Sequence, residues 1–195
     1  FPRYHQLDVV RRLIDHASHH GVGQTYLIQH SAGSGKSNSI TWAAYQLIEV
    51  YPASVNVHGA KAVDQPLFDS VIVVTDRRLL DKQLRENIKE FSEVKNIIAP
   101  ANKSSELKSA LENGKKIIIT TIQKLATFIA ANKGHAIYSG HVVIIFDECH
   151  RSQFGDMHRA ITRAFKRYHL FGFTGTPIFA ANAGSGGNPG LRTTE

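Results

Sequence analysis

Three stretches, Val71-Ile-Val-Val, Ile117-Ile-Ile-Thr and Val142-Val-Ile-Ile-Phe, lack the alternation of apolar and polar positions that a half-exposed strand shows. A strand built from any of them needs apolar cover on both faces, and that requirement favours a parallel sheet between two helical layers. Tyr26 to Gln29 and His169-Leu-Phe-Gly-Phe read as further strands, and Ile97-Ile-Ala as a short one.

Helical stretches separate them. Leu7, Val10, Leu13, Ile14 and Ala17 follow the helical period near the start of the chain, and Lys36 to Val50 runs without Gly or Pro. Leu80, Leu84, Ile88 and Phe91 form one side of another helix, and Ser104 to Leu111 reads as helix too. Phe154, Met157, Ile161 and Phe165 repeat at helical spacing and read as core. This alternation predicts an α/β domain with a mostly parallel sheet and helices on both faces. In such folds ligands gather where strands end and helices begin. Tyr51 to Asp69 has no clear period and reads as a surface excursion.

At 195 residues and 42% apolar the chain suits one core. Residues 1–181 read as one lobe, and 182–195, rich in Gly, as a flexible linker. A net charge of +7 favours polyanionic partners without naming one. The single Cys149 excludes an intrachain disulfide and a multi-cysteine zinc site, and with no apolar run long enough to span a bilayer the expected location is the cytoplasm. The chain opens on Phe1 instead of Met, which reads as a piece of a longer one.

Gly33-Ser34-Gly35-Lys36-Ser37 lies between the first strand and a long helix. Glycines there let backbone N–H groups converge on phosphate oxygens, Lys36 offers an ammonium to the β and γ phosphates, and the Ser37 hydroxyl suits magnesium. The general phosphate-loop pattern has a glycine where this chain has His30. Asp147 and Glu148 directly follow the apolar run ending at Phe146, so both acids reach the sheet edge that carries the glycine loop. Asp147 suits the metal, and Glu148 the attacking water. An acidic pair after a strand standing alone would read as a helix cap. Next to the loop it completes a hydrolytic set for a nucleoside triphosphate and magnesium.

Gly33-Ser-Gly-Lys-Ser37, Asp147-Glu-Cys-His150 and Thr174-Gly-Thr-Pro177 resemble, in order, motifs I, II and III of superfamily 2 helicases and translocases of the DExH type. Gln29-His-Ser-Ala-Gly-Ser-Gly-Lys-Ser37, Asp76-Arg-Arg-Leu-Leu-Asp-Lys-Gln83 and Asp147-Glu-Cys-His-Arg-Ser-Gln-Phe-Gly155 resemble more closely the motor of the restriction (R) subunit of type I restriction-modification enzymes, where His30 is normal. The resemblance implies the first of two RecA-like lobes, a P-loop NTPase fold, in an ATP-driven translocase of double-stranded DNA. It implies a second motor lobe, entered after Thr193-Thr-Glu195, and a separate nuclease domain of the same parent chain. Methyltransferase and specificity subunits are the implied partners. The lobe alone is expected to bind nucleotide and hydrolyse it poorly.

The same resemblance makes Gln6, in Arg3-Tyr-His-Gln6, the reader of adenine, and makes His150, Thr174 and Thr176 the couplers of nucleotide state to lobe movement. Gln6 has a second reading as a helix-capping or solvated residue, the two threonines as groups shaping a local turn, and His150 as a packed side chain. Thr120, Thr121 and Gln123 stand where the family meets DNA phosphates, and also where strand-end caps stand. Arg78, Lys82, Arg85 and Lys89 form a basic helical stripe that reads equally as DNA contact or as a solvated face, interrupted by Asp81, Glu86 and Glu90. His16, His19 and His20 fit favourable placement near a helix end better than a metal site. Two rival readings stay open: another superfamily 2 helicase or type III restriction motor, and a nucleotide-binding scaffold without turnover.

Overall fold

The computed structural model describes residues 3–30, 35–54, 56–58, 60–75, 98–100, 103–134, 140–147 and 153–174. Its elements in chain order are α1 (Tyr4–His20), β1 (Thr25–Gln29), α2 (Lys36–Leu47), β2 (Ser70–Thr75), β3 (Ile98–Pro100), α3 (Ser104–Glu112), β4 (Ile117–Thr121), α4 (Ile122–Ala131), β5 (His141–Asp147), α5 (Gln153–Ala164) and β6 (Arg167–Thr174). The helix expected around Leu80 to Phe91 lies outside the described residues. The strands form one 6-stranded sheet in the order β1-β6-β5-β2-β4-β3, every pairing parallel.

Strands β2 and β5, central in that order, are buried along their whole length, which is why their sequences show no alternation. Side chains still alternate between the faces. Val71, Val73, Val143, Ile145, Phe171 and Phe173 pack with Val10, Leu13 and Ala17 of α1 and with Ile40, Ala43, Ala44 and Leu47 of α2. Ile72, Val74, Ile144, Phe146 and Leu170 face the other way, onto Leu107 of α3, Leu125 and Phe128 of α4, and Met157 and Ile161 of α5. Phe165, just past α5, is also buried in that layer, so the stripe expected to be core is core from Met157 onward.

Most described residues of the Tyr51–Asp69 segment are exposed or half-buried, as expected of a surface excursion, but it is anchored: Val57, Leu67 and Phe68 are buried in the core layer of α1 and α2. Backbone bonds pin the segment: Ala53 N–H donates to Ser18 O at 2.9 Å, Val22 N–H to His58 O at 3.0 Å and Leu67 N–H to Val50 O at 2.7 Å. Gly21 has φ +75, and a Cβ on it would stand 1.9 Å from the His58 carbonyl oxygen, so only glycine fits this crossing. At the segment's end the Asp69 carboxylate accepts from Lys61 Nζ at 2.6 Å and from the His141 N–H at 2.9 Å. Burial pushes that carboxyl up, but the Lys61 and His141 hydrogen bonds outweigh it and leave it below the usual range.

His169 is fully buried among Tyr26, Phe68 and Phe171, with ring centroids 5.1, 5.3 and 5.2 Å away. Its Nδ1 accepts the Gln24 N–H at 3.2 Å. Burial, with a smaller contribution from the charge of His16, lowers its pKa to about 4. Below the ordinary value of 6.5 the unfolded chain takes up a proton that the folded one refuses, so stability falls between pH 6.5 and 4. The loss is on the order of 3 kcal/mol at the acid end. Urea midpoints measured across that range should drop, and His169→Phe should show a flatter profile. An equally steep profile in the variant would remove His169 as a source.

Candidate functional site

The register of the sheet brings the polar strand ends to one edge. Asp147 pairs with Phe173, Phe173 is the neighbour of Ile28, and Thr75 pairs with Thr121. Asp147 follows Val143 and Ile145 by the strand period, so its carboxylate falls on the face that α2 covers.

Helix α2 starts at the same edge. Its N-cap, Gly35, is left-handed (φ 80, ψ 40), and a Cβ on it would come within 2.1 Å of Gln6 Nε2. Glycine is therefore required both for backbone angle and for space. Its carbonyl accepts from Asn38 N–H at 3.1 Å, Ser39 N–H at 3.2 Å and Gln6 Nε2 at 2.9 Å. The first-turn N–H groups of Lys36 and Ser37 have no carbonyl behind them within the helix, and the positive end of the helix dipole lies there.

Lys36 Nζ lies 3.0 Å from Asp147 Oδ1, with the two side chains 18% and 4% accessible. The ammonium sits off the line a hydrogen bond needs, so Oδ1 is buried and ion-paired yet accepts no hydrogen bond. Such an oxygen suits a cation or a cation-bound water, and the half-buried Ser37 hydroxyl begins the same helix. These residues fit magnesium and the phosphates of a nucleotide.

Gln6 is buried. Its Oε1 accepts the Arg3 N–H at 2.9 Å, so it does cap α1, while Nε2 ties the helix to the glycine loop. His30 is buried, and its N–H donates to Thr174 O at 2.8 Å, the bond that closes the pairing of β1 with β6 just past Gln29. Burial first, then the charges of His5 and Lys36, lower its pKa.

Lys36, Asp147, Gly35, Ser37 and Gln6 thus belong to one neighbourhood. Gly33, Ser34, Glu148, His150, Thr176, Arg78 and Lys82 lie outside the described residues. Thr174 is fully buried at the end of β6, across from Gln29. Thr120 and Thr121 are buried as well, and Gln123 is exposed. Thr121 is the N-cap of α4 but makes no side-chain cap bond, and the Thr120 hydroxyl has no partner, so neither acts as a cap here. His16 is bonded to the Tyr26 hydroxyl and stacks on His20 at 3.8 Å. Among the described residues no group of three His, Cys, Asp or Glu side chains gathers as a metal site. Thr75, which sequence reasoning passed over, closes β2 beside Asp147 with its hydroxyl unbonded. Its one signal was a polar residue ending an otherwise apolar run.

The chain matches the SWI2/SNF2 ATPase family over residues 5–187. It is 35% identical over 189 residues to a type I restriction enzyme endonuclease subunit of Staphylococcus aureus (strain MSSA476), a match covering 95% of this chain and 18% of that protein. The HindI endonuclease subunit of Haemophilus influenzae is 29% identical, over 90% of this chain and 17% of its own length. Among solved structures, the Pyrococcus furiosus Hef helicase domain superposes with a TM-score of 0.62 at 20% identity, covering 91% of this chain and 34% of that one. The UvsW helicase of bacteriophage T4 superposes at 0.55 and 15% identity, covering 98% and 58%. These structural likenesses carry the fold.

Removing the lysine would leave a buried carboxylate without its counter-charge. Lys36→Ala should lower stability by about 1–3 kcal/mol. Adding Asp147→Asn should recover part of that loss in urea denaturation. Additive losses would mean the two side chains do not depend on each other.

Proposed function

The chain belongs to the SWI2/SNF2 ATPase family, and on that footing we propose that it is the ATP-hydrolysing lobe of a type I restriction endonuclease subunit, driving translocation of double-stranded DNA. The observation that carries this reading is the 3.0 Å pairing of Lys36 with Asp147 at the edge of a parallel sheet, joining the glycine loop to the acidic motif.

Binding begins at α2. The N–H groups of its first turn and the Lys36 ammonium take the phosphates, and Gln6, bonded to Gly35 O beside them, meets the base. Ser37 and Asp147 would hold magnesium, which would supply charge neutralisation for the phosphates. Glu148, next after the metal-holding acid, orients and deprotonates the attacking water. Positioning and charge neutralisation supply most of the rate in phosphoryl transfer, and a pre-aligned sheet edge suits both.

Thr174 and Thr176, with His150, pass the change in γ-phosphate contacts to a second motor lobe of the parent protein. Thr174 is bonded through its carbonyl to His30, directly ahead of the loop, which supports this role. Arg78, Lys82, Thr120, Thr121 and Gln123 are the candidate DNA contacts; the burial of Thr120 and Thr121 makes Gln123 the strongest of the three on that strand-to-helix passage. Cleavage belongs to a separate nuclease domain, with methyltransferase and specificity subunits as partners in the cytoplasm. No helix among the described residues is long and apolar enough to cross a membrane.

Glu148→Gln in the full chain should bind ATP with wild-type affinity and lose at least about a hundredfold in DNA-stimulated turnover, the scale expected for a general base. Filter binding and phosphate release measure the two. Normal turnover would remove Glu148 as the base.

A further inference from the structure

Val71 to Val74 on β2 are β-branched, fully buried and apolar, and the strand then closes on Thr75, fully buried too. Valine has nearly the same shape and would fill the site without a hydroxyl to satisfy. The Thr75 Oγ1 has no hydrogen-bond partner, so in this state the hydroxyl is a cost to the fold with no local return.

Its position supplies the reason. Val74 lies opposite Phe146, so the next step along the two parallel strands sets Thr75 beside Asp147. Thr75 follows Val71 and Val73 by the strand period, and Asp147 follows Val143 and Ile145, so both side chains rise on the α2 face. Adjacent strands are about 4.8 Å apart. An unbonded hydroxyl and an unbonded carboxylate oxygen, Asp147 Oδ1, are thus lateral neighbours in one row. Other buried hydroxyls without partners, on Ser39 and Thr120, lie on α2 and on the opposite face of the sheet.

We infer that Thr75 is a positioning residue for Asp147, its Oγ1 donating a hydrogen bond to the carboxylate once Lys36 turns to the phosphates, and so holding it aimed at the metal. The inference rests on the reading of this site as one for a magnesium nucleotide. Lys36 is the close charged neighbour of Asp147 here. When the ammonium moves away, a fixed donor is needed to keep the carboxylate from rotating, and Thr75 is the donor in the same row.

The test compares wild type, Thr75→Val and Thr75→Ser in the full chain, using a fluorescent ATP analogue titrated with Mg2+ and, separately, in EDTA. Thr75→Val should raise the Mg2+ half-saturation by about 10–100-fold, the usual effect of losing a partner of a metal ligand. Its affinity in EDTA should stay at the wild-type value. Its nucleotide-free melting temperature should rise by roughly 2–4 °C, because an unsatisfied hydroxyl has gone. Thr75→Ser, which keeps the donor, should restore the Mg2+ response. A wild-type Mg2+ half-saturation in Thr75→Val, or a lowered melting temperature, would overturn the inference while leaving the nucleotide site standing. Failure of the wild-type protein itself to bind the analogue in a Mg2+-dependent way would overturn both.

Discussion

A half-buried lysine and a buried aspartate from distant parts of the chain meet at 3.0 Å at the edge of the sheet. Neither belongs in a protein interior alone, because taking a single charge out of water costs more than packing returns. Together they hold the start of α2 against the end of β5. The parallel strands, the left-handed Gly35 and the anchoring of α1 through Gln6 all serve to bring those two groups to one place.

The pairing is incomplete as a hydrogen-bonded arrangement, since Asp147 Oδ1 accepts none and the Thr75 hydroxyl beside it makes none. A purely structural ion pair would gain from saturating those atoms. On the proposed reading, that open capacity is for a magnesium nucleotide, which has the charge and the ligand demand to fill it. The apolar layers on both faces keep the edge rigid while that exchange takes place.

Much of this was legible in the residue order. Val71 to Val74 and Val142 to Phe146 signalled fully covered strands because no alternation relieved them, and the glycine loop was recognisable from its place between strand and helix. Less legible were features that depend on contacts between remote segments. Val57, Leu67 and Phe68 enter the core from a stretch with no period, held by backbone bonds to Ser18, Val22 and Val50 that no local pattern encodes. Thr75, one residue past the apolar run, gains its meaning only from the register that sets it beside Asp147. His30, a departure from the general loop pattern, is tied by its N–H to Thr174 at the end of β6, a contact that no local pattern encodes.

The most direct measurement is a structure of the chain with Mg2+ and a non-hydrolysable ATP analogue. The account predicts Lys36 Nζ withdrawn from Asp147 and bonded to the terminal phosphates, with Asp147 and Ser37 on the metal side of the same nucleotide. Nucleotide bound elsewhere, or bound at the loop with the Lys36–Asp147 pair still closed and Asp147 remote from the metal, would contradict it.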